Sequence, residues 1–399
     1  MTKNNIKIRL PLTASAALRL KKVSPSDVLI IHVNHKLDDV DELNHILEST
    51  FEEVYFAPLD YRTSETVEPA QLSRIFEKIL ATEQPYIVLE DGGHWTRFIA
   101  RNDEIRPPIA HIEQTTKGAR IAAELLEKGQ LRHQISSIAR SVPKIRVENF
   151  FIAQRIHMET ELLLSTIGET AMFRKCVVIG FGIIGRAVAR FMKNMGGDIY
   201  VHDKNELILA SAAIEGFKQF SEIGFSGMEP VIVFGATGED ISESPVLQTI
   251  LSSVKRAFLI SCSSGSVEYK TWREKNHTNL LETTQIGECY RADGRIIYLL
   301  ANGRPINFYR KDAESLPICV ADLVNATLVG AAATALSSGA NFPSLRLIDI
   351  DLFEKRGWDG LSMIEKWAQF HGFSGTRIAL LSAAEKEVHP NERLLVGGG

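Results

Sequence analysis

Apolar and polar positions along this chain follow two alternating rhythms. Compact apolar runs read as buried strands: Val28-Leu29-Ile30-Ile31, 54–57, Tyr86-Ile87-Val88-Leu89, Cys176-Val177-Val178-Ile179, 198–201, 231–234, 257–260 and 296–300. Between them, apolar residues recur at helical spacing over 38–50, 71–82, 119–127, 149–167 and 186–193. A short helix is predicted over 14–20, a small-residue-rich helix over 320–336 and an amphipathic helix over 361–371. Strands that alternate with helices predict βαβ units and largely parallel sheets. The fold class is therefore α/β, with two doubly wound domains. The first spans 1–148 and is completed by 320–399, to which the helix over 320–336 returns the chain; the second, of Rossmann type, spans 149–319. Pro143 predicts an extended approach to the helix at 149, and 305–308 is expected to pair with 296–300 as a hairpin across Asn302-Gly303-Arg304.

The second domain opens on a stretch with its own chemistry. Gly180-Phe181-Gly182-Ile183-Ile184-Gly185 follows an apolar strand and leads into an amphipathic helix, and a second strand then ends at Asp203. In this G-x-G-x-x-G pattern the first glycine permits a tight turn. The second lets backbone approach a pyrophosphate, and the third lets helix and strand pack closely. The helix N-terminus offers unpaired N–H groups to phosphate. An acid about 20 residues past the glycines accepts bonds from an adenosine ribose and disfavours a 2′-phosphate. The expected cofactor is NAD.

Composition narrows the remaining classes. The chain has 399 residues, 45% hydrophobic and 24% charged, with a net charge of −4, which argues against nucleic acid as a partner. The apolar runs fall short of a membrane span, and the opening MTKNNIKIRLPL is too polar for a secretory signal. Cys176, Cys262, Cys289 and Cys319 lack metal or disulfide spacing, and Cys176 reads as a small buried hydrophobe. The expectation is a reduced, cytoplasmic enzyme without a metal.

Ligands of doubly wound sheets bind beyond the carboxyl ends of the strands. In the first domain two polar loops have that placement, 32–39 and 90–94. The Thr115-Thr116 pair before the helix at 119 reads by default as N-capping. In the second domain, Ala236-Thr237-Gly238 and the loop over 261–266 are expected to face the nicotinamide side.

Taken in order, several of these segments resemble the S-adenosyl-L-homocysteine hydrolase family, over about Val28 to Leu336. Leu89-Glu90-Asp91-Gly92-Gly93 is similar to that family's L-D-D-G-G, and Glu113-Gln114-Thr115-Thr116-Lys117-Gly118 to its E-E-T-T-T-G. Ser141-Val142-Pro143-Lys144, with Glu148-Asn149, resembles S-V-T-K-x-x-x-D-N, and Gly303 to Asn307 resembles G-R-x-x-N. The resemblance implies a retained NAD used twice per turnover. A ribose 3′-hydroxyl is oxidised, which acidifies C4′–H; a 5′ group leaves, water adds and the ketone is reduced again. It implies that Lys144 and Glu148 handle the hydroxyl proton, that Asp91 takes the C4′ proton, and that His35 belongs to the catalytic set, with His32 as the alternative registration. Asn149, Asn307, Thr115, Thr116 and Lys117 would contact NAD, and Gln114 and Asp91 the substrate, a nucleoside-like small molecule of one-carbon metabolism. The resemblance also implies a homo-oligomer.

The departures fall in the substrate half. Gln114 stands where a substrate-binding Glu is expected, and Glu148 replaces Asp. Ser263-Ser264-Gly265-Ser266 replaces G-H-F-D, Ala313-Glu314-Ser315 replaces G-H-P, His35-Lys36-Leu37 stands for H-x-T, and Ala153 replaces a cysteine. The family's Lys- and Tyr-bearing tail has no counterpart in the ending HPNERLLVGGG. Elimination, hydration, epimerisation or cleavage at C4′–C5′ is the expected reaction class. A non-catalytic NAD-binding regulator and a simple dehydrogenase with net oxidation are the alternatives.

Overall fold

The computed structural model describes residues 10–35, 38–59, 69–222, 224, 230–263, 265–310, 316–337, 347–349 and 360–373. Lys36-Leu37, Ser264, 313–315 and the polar ending lie outside the described residues. The chain divides into two units, one drawn from Met1–Leu59, Thr66–Glu148 and Pro317–Gly399, the other built on Asn149–Leu316.

The first unit runs α1 (Pro11–Val23), β1 (Leu29–His35), α2 (Asp38–Thr50), β2 (Glu53–Leu59), α3 (Pro69–Thr82), β3 (Tyr86–Glu90), α4 (His94–Ile99), β4 (Ala110–Glu113), α5 (Thr116–Glu127) and β5 (Ile135–Ser137). A π-helical turn, Pro143–Glu148, follows. The predicted extended approach is wrong there. Proline lacks only its own N–H, which at the first helical position has no intrahelical partner, so Pro143 opens the turn instead of blocking it.

The second unit holds α6 (Asn149–Ser165), β6 (Lys175–Ile179), α7 (Ile183–Asn194), β7 (Asp198–His202), α8 (Glu206–Ile214), β8 (Lys218–Gln219), β9 (Val231–Gly235), α9 (Pro245–Ser253), β10 (Arg256–Ser261), α10 (Lys270–Lys275), β11 (Leu280–Thr284), β12 (Gly287–Ala292) and β13 (Arg295–Leu300). Its strand order, β11-β12-β13-β10-β9-β6-β7-β8, contains the 3-2-1-4-5-6 Rossmann arrangement, with β11 and β12 added antiparallel at one edge. Alternate residues bury on opposite faces. Val178, Ile199, Ile232 and Phe258 pack with Ile156 and Met192, whereas Val177, Val233, Ala257 and Leu259 pack with Leu247 and Ile250.

The predicted hairpin of 296–300 with 305–308 is overturned. β13 pairs with β12, across Asp293-Gly294, whose φ values of 50° and 76° suit a two-residue turn. Positive φ at Ala301, Asn302 and Gly303 redirects the chain into a 3₁₀ turn, Ile306–Phe308, and only an isolated bridge joins Pro305 to Ser261.

The chain then supplies α11 (Ile318–Ser337), β14 (Leu347–Asp349) and α12 (Gly360–His371) to the first unit. The first sheet has the order β14-β5-β4-β3-β1-β2, all parallel, with its topological switch point between β1 and β3. By length and composition α11 is apolar enough to cross a membrane, yet 83% of its most apolar window is buried in the protein, as in a core helix. Fully buried Asp322 on α11 accepts the α1 N–H groups of Leu12 (3.1 Å) and Thr13 (2.8 Å) and the Thr13 hydroxyl (2.8 Å), and it meets His371 Nε2 of α12 at 2.8 Å. One carboxylate thus joins three helices.

Candidate functional site

In the first unit, polar residues converge at the carboxyl ends of β1, β3 and β4, the end of the sheet where a switch point leaves a crevice. The ladder continues one residue past the strands: Asp91 N–H donates to Val33 O (2.8 Å) and Gln114 N–H to Glu90 O (2.9 Å). Asn34, Asp91 and Gln114 are thereby set side by side, all buried. Gln114 Nε2 donates to Asp91 Oδ2 at 2.6 Å and lies 3.4 Å from Asn34 Oδ1. Asn34 Nδ2 is 3.1 Å from His32 Nε2, and His32 Nδ1 is 2.7 Å from Asn44 Oδ1 on α2. Of the two candidate histidines, His32 belongs to this network; the backbone of His35 closes β1 opposite Leu59.

Beneath Asp91 the Gly92-Gly93 turn is held by Glu113. Its carboxyl accepts both glycine N–H groups (3.1 and 3.0 Å), the Thr115 N–H (2.7 Å) and the Thr115 hydroxyl (2.6 Å). Burial, then the Glu90 and Asp91 carboxyls, push the Glu113 pKa well above the ordinary range. The Thr115 hydroxyl also accepts from Gly92 N–H (3.1 Å) and caps α5 at Gly118 N–H (3.0 Å). One donor and two lone pairs are then in use, the full capacity of a hydroxyl. Thr116 and Lys117 occupy the exposed and half-buried first turn of α5.

Glu90 points elsewhere. It accepts from Trp95 N–H, Thr96 N–H and the Thr96 hydroxyl (2.6 Å), and it pairs with His111 Nε2 at 2.7 Å. Burial alone would raise it, but the bonds from His111 and Thr96 outweigh that and leave its pKa below the usual carboxylate value. His111 Nδ1 is 2.8 Å from His133 Nε2, and burial takes His133 down to about 3.

The π-helical turn brings Lys144 and Glu148 together, one turn apart. The ammonium meets both carboxylate oxygens, at 2.9 and 2.8 Å, and the side chains are 11% and 9% exposed. The bonds of this pair are charge-assisted and sheltered from solvent, which makes them stronger than neutral ones.

The second unit supplies the glycine loop. Gly180 has φ 93°, and a Cβ there would sit 2.7 Å from Ala236 O; a Cβ on Gly185 would sit 1.8 Å from Gly180 O. Both positions demand glycine for packing. At Gly182, by contrast, a Cβ would meet nothing within 4 Å, so open space lies before the first-turn N–H groups of Ile183 and Ile184. Asp203 Oδ2 accepts the Phe181 N–H at 2.8 Å and Oδ1 the Asn205 N–H at 2.9 Å, fixing the acid beside the loop with lone pairs to spare. The strands flanking the crevice are β6 and β9, the switch point of this sheet. The residues fit a dinucleotide, and the acid fits the 2′-hydroxyl of NAD.

No protein-family model matches the chain. An adenosylhomocysteinase from Sulfurisphaera tokodaii is 24% identical over 245 residues, which are 60% of this chain. The match covers 57% of that relative, so the chain spans less than two thirds of its length. Among solved structures, the A chain of dipicolinate synthase from Bacillus subtilis is similar with a TM-score of 0.40 at 12% identity, over 79% of this chain and 99% of that one. A pyruvate reductase of Chlamydomonas reinhardtii gives 0.39 at 11% identity, over 81% and 98%.

Beyond β9 and β10 the structure adds a residue that the sequence reading missed. Glu268 is fully buried and accepts from the Ser261 hydroxyl and, at 3.4 Å, from Gly238 N–H, which also lies 3.1 Å from Ser263 Oγ. Burial pushes its carboxyl up to about 7 despite those bonds. Gly238 is held against this acid, and Thr237 closes its own turn by accepting from Glu239 N–H (3.0 Å). Asn149, at the start of α6, and Asn307, in the 3₁₀ turn after β13, are both buried. An acid a few residues past a predicted strand was the available signal for Glu268; for Asn34 it was the polar, apolar, polar alternation of His32-Val33-Asn34 inside an apolar strand.

Proposed function

We propose that this chain binds NAD at the Gly180–Gly185 loop and acts on a nucleoside or other ribosyl compound through its 3′-hydroxyl and C4′. The observation that carries the reading is the sheltered, bidentate Lys144–Glu148 pair, set in the same unit as the crevice that holds Asp91. NAD, when bound, supplies a hydride acceptor and donor for C3′. Gly182 leaves room for its pyrophosphate at the N-terminus of α7, and Asp203 takes its adenosine ribose. Lys144 and Glu148 hold and move the proton of the 3′-hydroxyl, a role that requires a donor and an acceptor within one pair. Asp91, a carboxylate set by Gln114, takes the C4′ proton once C3′ is a ketone. The distant resemblance to adenosylhomocysteinase favours elimination and hydration at C5′ as the outcome.

The test is incorporation of deuterium at C4′ when the NAD-loaded protein is incubated with a panel of nucleosides in deuterated water. Exchange is expected, with no net release of NADH, and Asp91→Asn should abolish it. Stoichiometric NADH release would make the chain a simple dehydrogenase instead. Bound NAD with no exchange on any nucleoside would point to a binding protein, and undiminished exchange in Asp91→Asn would remove Asp91 as the base.

A further inference from the structure

The bonds around Asp91 have a direction, and the residue that sets it is Gln114. We infer that Gln114 is a positioning residue that keeps Asp91 as an ionised, aimed carboxylate and ties that state to one tautomer of His32. This deepens the proposed function and rests on its assignment of Asp91 as the base.

An ionised carboxylate can only accept, so at 2.6 Å the Gln114 amide must turn its nitrogen toward Asp91 Oδ2. The same nitrogen faces Asn34 Oδ1, which turns the Asn34 amide nitrogen toward His32 Nε2 at 3.1 Å. That ring nitrogen must then carry a lone pair, and the His32 proton sits on Nδ1, donated to Asn44 Oδ1 at 2.7 Å. Each bond in the series fixes the next. Gln114 holds this orientation even though its own Oε1 is buried without a hydrogen-bond partner among the described residues. Protonating Asp91 would give it a donor, remove the reason for the amide's orientation and release the series as far as His32.

A carboxylate at position 114 would behave differently. Two carboxyl groups 2.6 Å apart do not both ionise; they share a proton, as in paired acid sites. Among the described residues, the charged or titratable groups around Asp91 include Glu90 and Glu113 at the ends of β3 and β4, His94 on α4, Lys117 on α5 and His32 on β1. Two of these are buried carboxyls, and a third acid at 114 would press a proton onto Asp91. An amide at this position leaves Asp91 able to accept.

The experiment compares wild type with Gln114→Glu in the full chain and reads two quantities. The first is the nitrogen NMR spectrum of ¹⁵N-histidine protein near neutral pH, which needs no substrate. The His32 ring is expected as the neutral Nδ1–H form in wild type, and the wild-type spectrum alone decides this even if the variant does not fold. The second is the pH profile of C4′ exchange. Its acidic limb is expected to move up by about 1 pH unit or more in Gln114→Glu, with the rate recovering at high pH. A merely structural role would lower the rate at every pH and leave the limb in place. A wild-type His32 protonated on Nε2, or an unmoved limb in a folded Gln114→Glu protein, overturns the inference. Normal exchange in Asp91→Asn removes the base assignment, while the His32 tautomer still decides the series of bonds.

Discussion

Gly182 and Gly185 are three residues apart in one motif, and the structure expects opposite consequences from the same substitution. In Gly185→Ala the added Cβ would lie 1.8 Å from Gly180 O and 2.9 Å from Gly180 C. These are backbone atoms of the turn that starts the loop, so relief requires α7 to move away from β6. Overpacking of a close-packed interior costs about 1–3 kcal/mol, and a backbone clash of this depth belongs at about 3 kcal/mol or more. In Gly182→Ala the Cβ meets nothing within 4 Å, and φ −71° with ψ −162° suits alanine. Alanine is a poorer helix N-cap than glycine by a few tenths of a kcal/mol or more, and it restricts the unfolded chain by a similar amount, so stability should stay within about 1 kcal/mol of wild type. The methyl group would stand instead where backbone has to approach a pyrophosphate. Excluding the ligand from its seat by about 1.4–3 kcal/mol weakens NAD binding about 10- to 100-fold. Thermal unfolding of the three proteins, together with calorimetric titration with NAD, separates the effects. Gly185→Ala should lose stability, whereas Gly182→Ala should lose affinity alone. A Gly182→Ala protein that binds NAD as tightly as wild type would refute the assignment of this loop, and a Gly185→Ala protein of wild-type stability would refute the packing argument.

Two further outcomes are expected. Glu268 sits at about 7 against an ordinary 4.5, so the folded state binds its proton more tightly than the unfolded chain does. Its contribution is fully present below pH 4.5 and is lost as pH rises to 7, a change of about 3 kcal/mol. Urea unfolding of wild type and Glu268→Gln at pH 5 and pH 8 should show a larger loss in wild type, by about this amount, than in the variant, which keeps the raised carboxyl of Glu113. Asp322→Ala removes the acceptor of two α1 N–H groups, a hydroxyl and His371, and should destabilise the first unit by about 3–5 kcal/mol. Hydrogen exchange should be fastest to rise in α1.

Much of this fold was legible because its signals are local. The strands are short apolar runs, and the glycine loop reports three separate steric demands, two of which the structure meets as close approaches to Gly180 O and Ala236 O. The errors arose where one residue had two readings. Pro143 was read as a barrier, although at the first helical position it has nothing to break. Asn302-Gly303-Arg304 reads as a hairpin turn, although Asp293-Gly294 carries the same kind of signal on the other side of the same strand. Turn chemistry locates a reversal but does not say which neighbour pairs; the positive φ values at 301–303 turn the chain away from β13.

The candidate site was legible to a lesser degree, because an acid after a strand reads the same whether it holds backbone or a ligand. Glu113 and Gln114 make the point as chain neighbours. Successive residues of an extended segment face opposite ways, so one of the two turns under the Gly92-Gly93 turn and the other turns to Asp91. At 113 the partners are four donors, three N–H groups and one hydroxyl, and only an acceptor with two oxygens can satisfy them from one side chain. At 114 the partner is itself a carboxylate, and the side chain has to donate. Acid at the first position and amide at the second therefore each suit what faces them in this chain. Glu268 follows the rule for 113, binding one N–H and a hydroxyl under the Gly238 turn of the other unit. The buried acids that hold glycine turns have raised pKa values and spend their oxygens on the fold. Asp91, by contrast, is placed by a side-chain donor, which is the arrangement the proposed role as base requires.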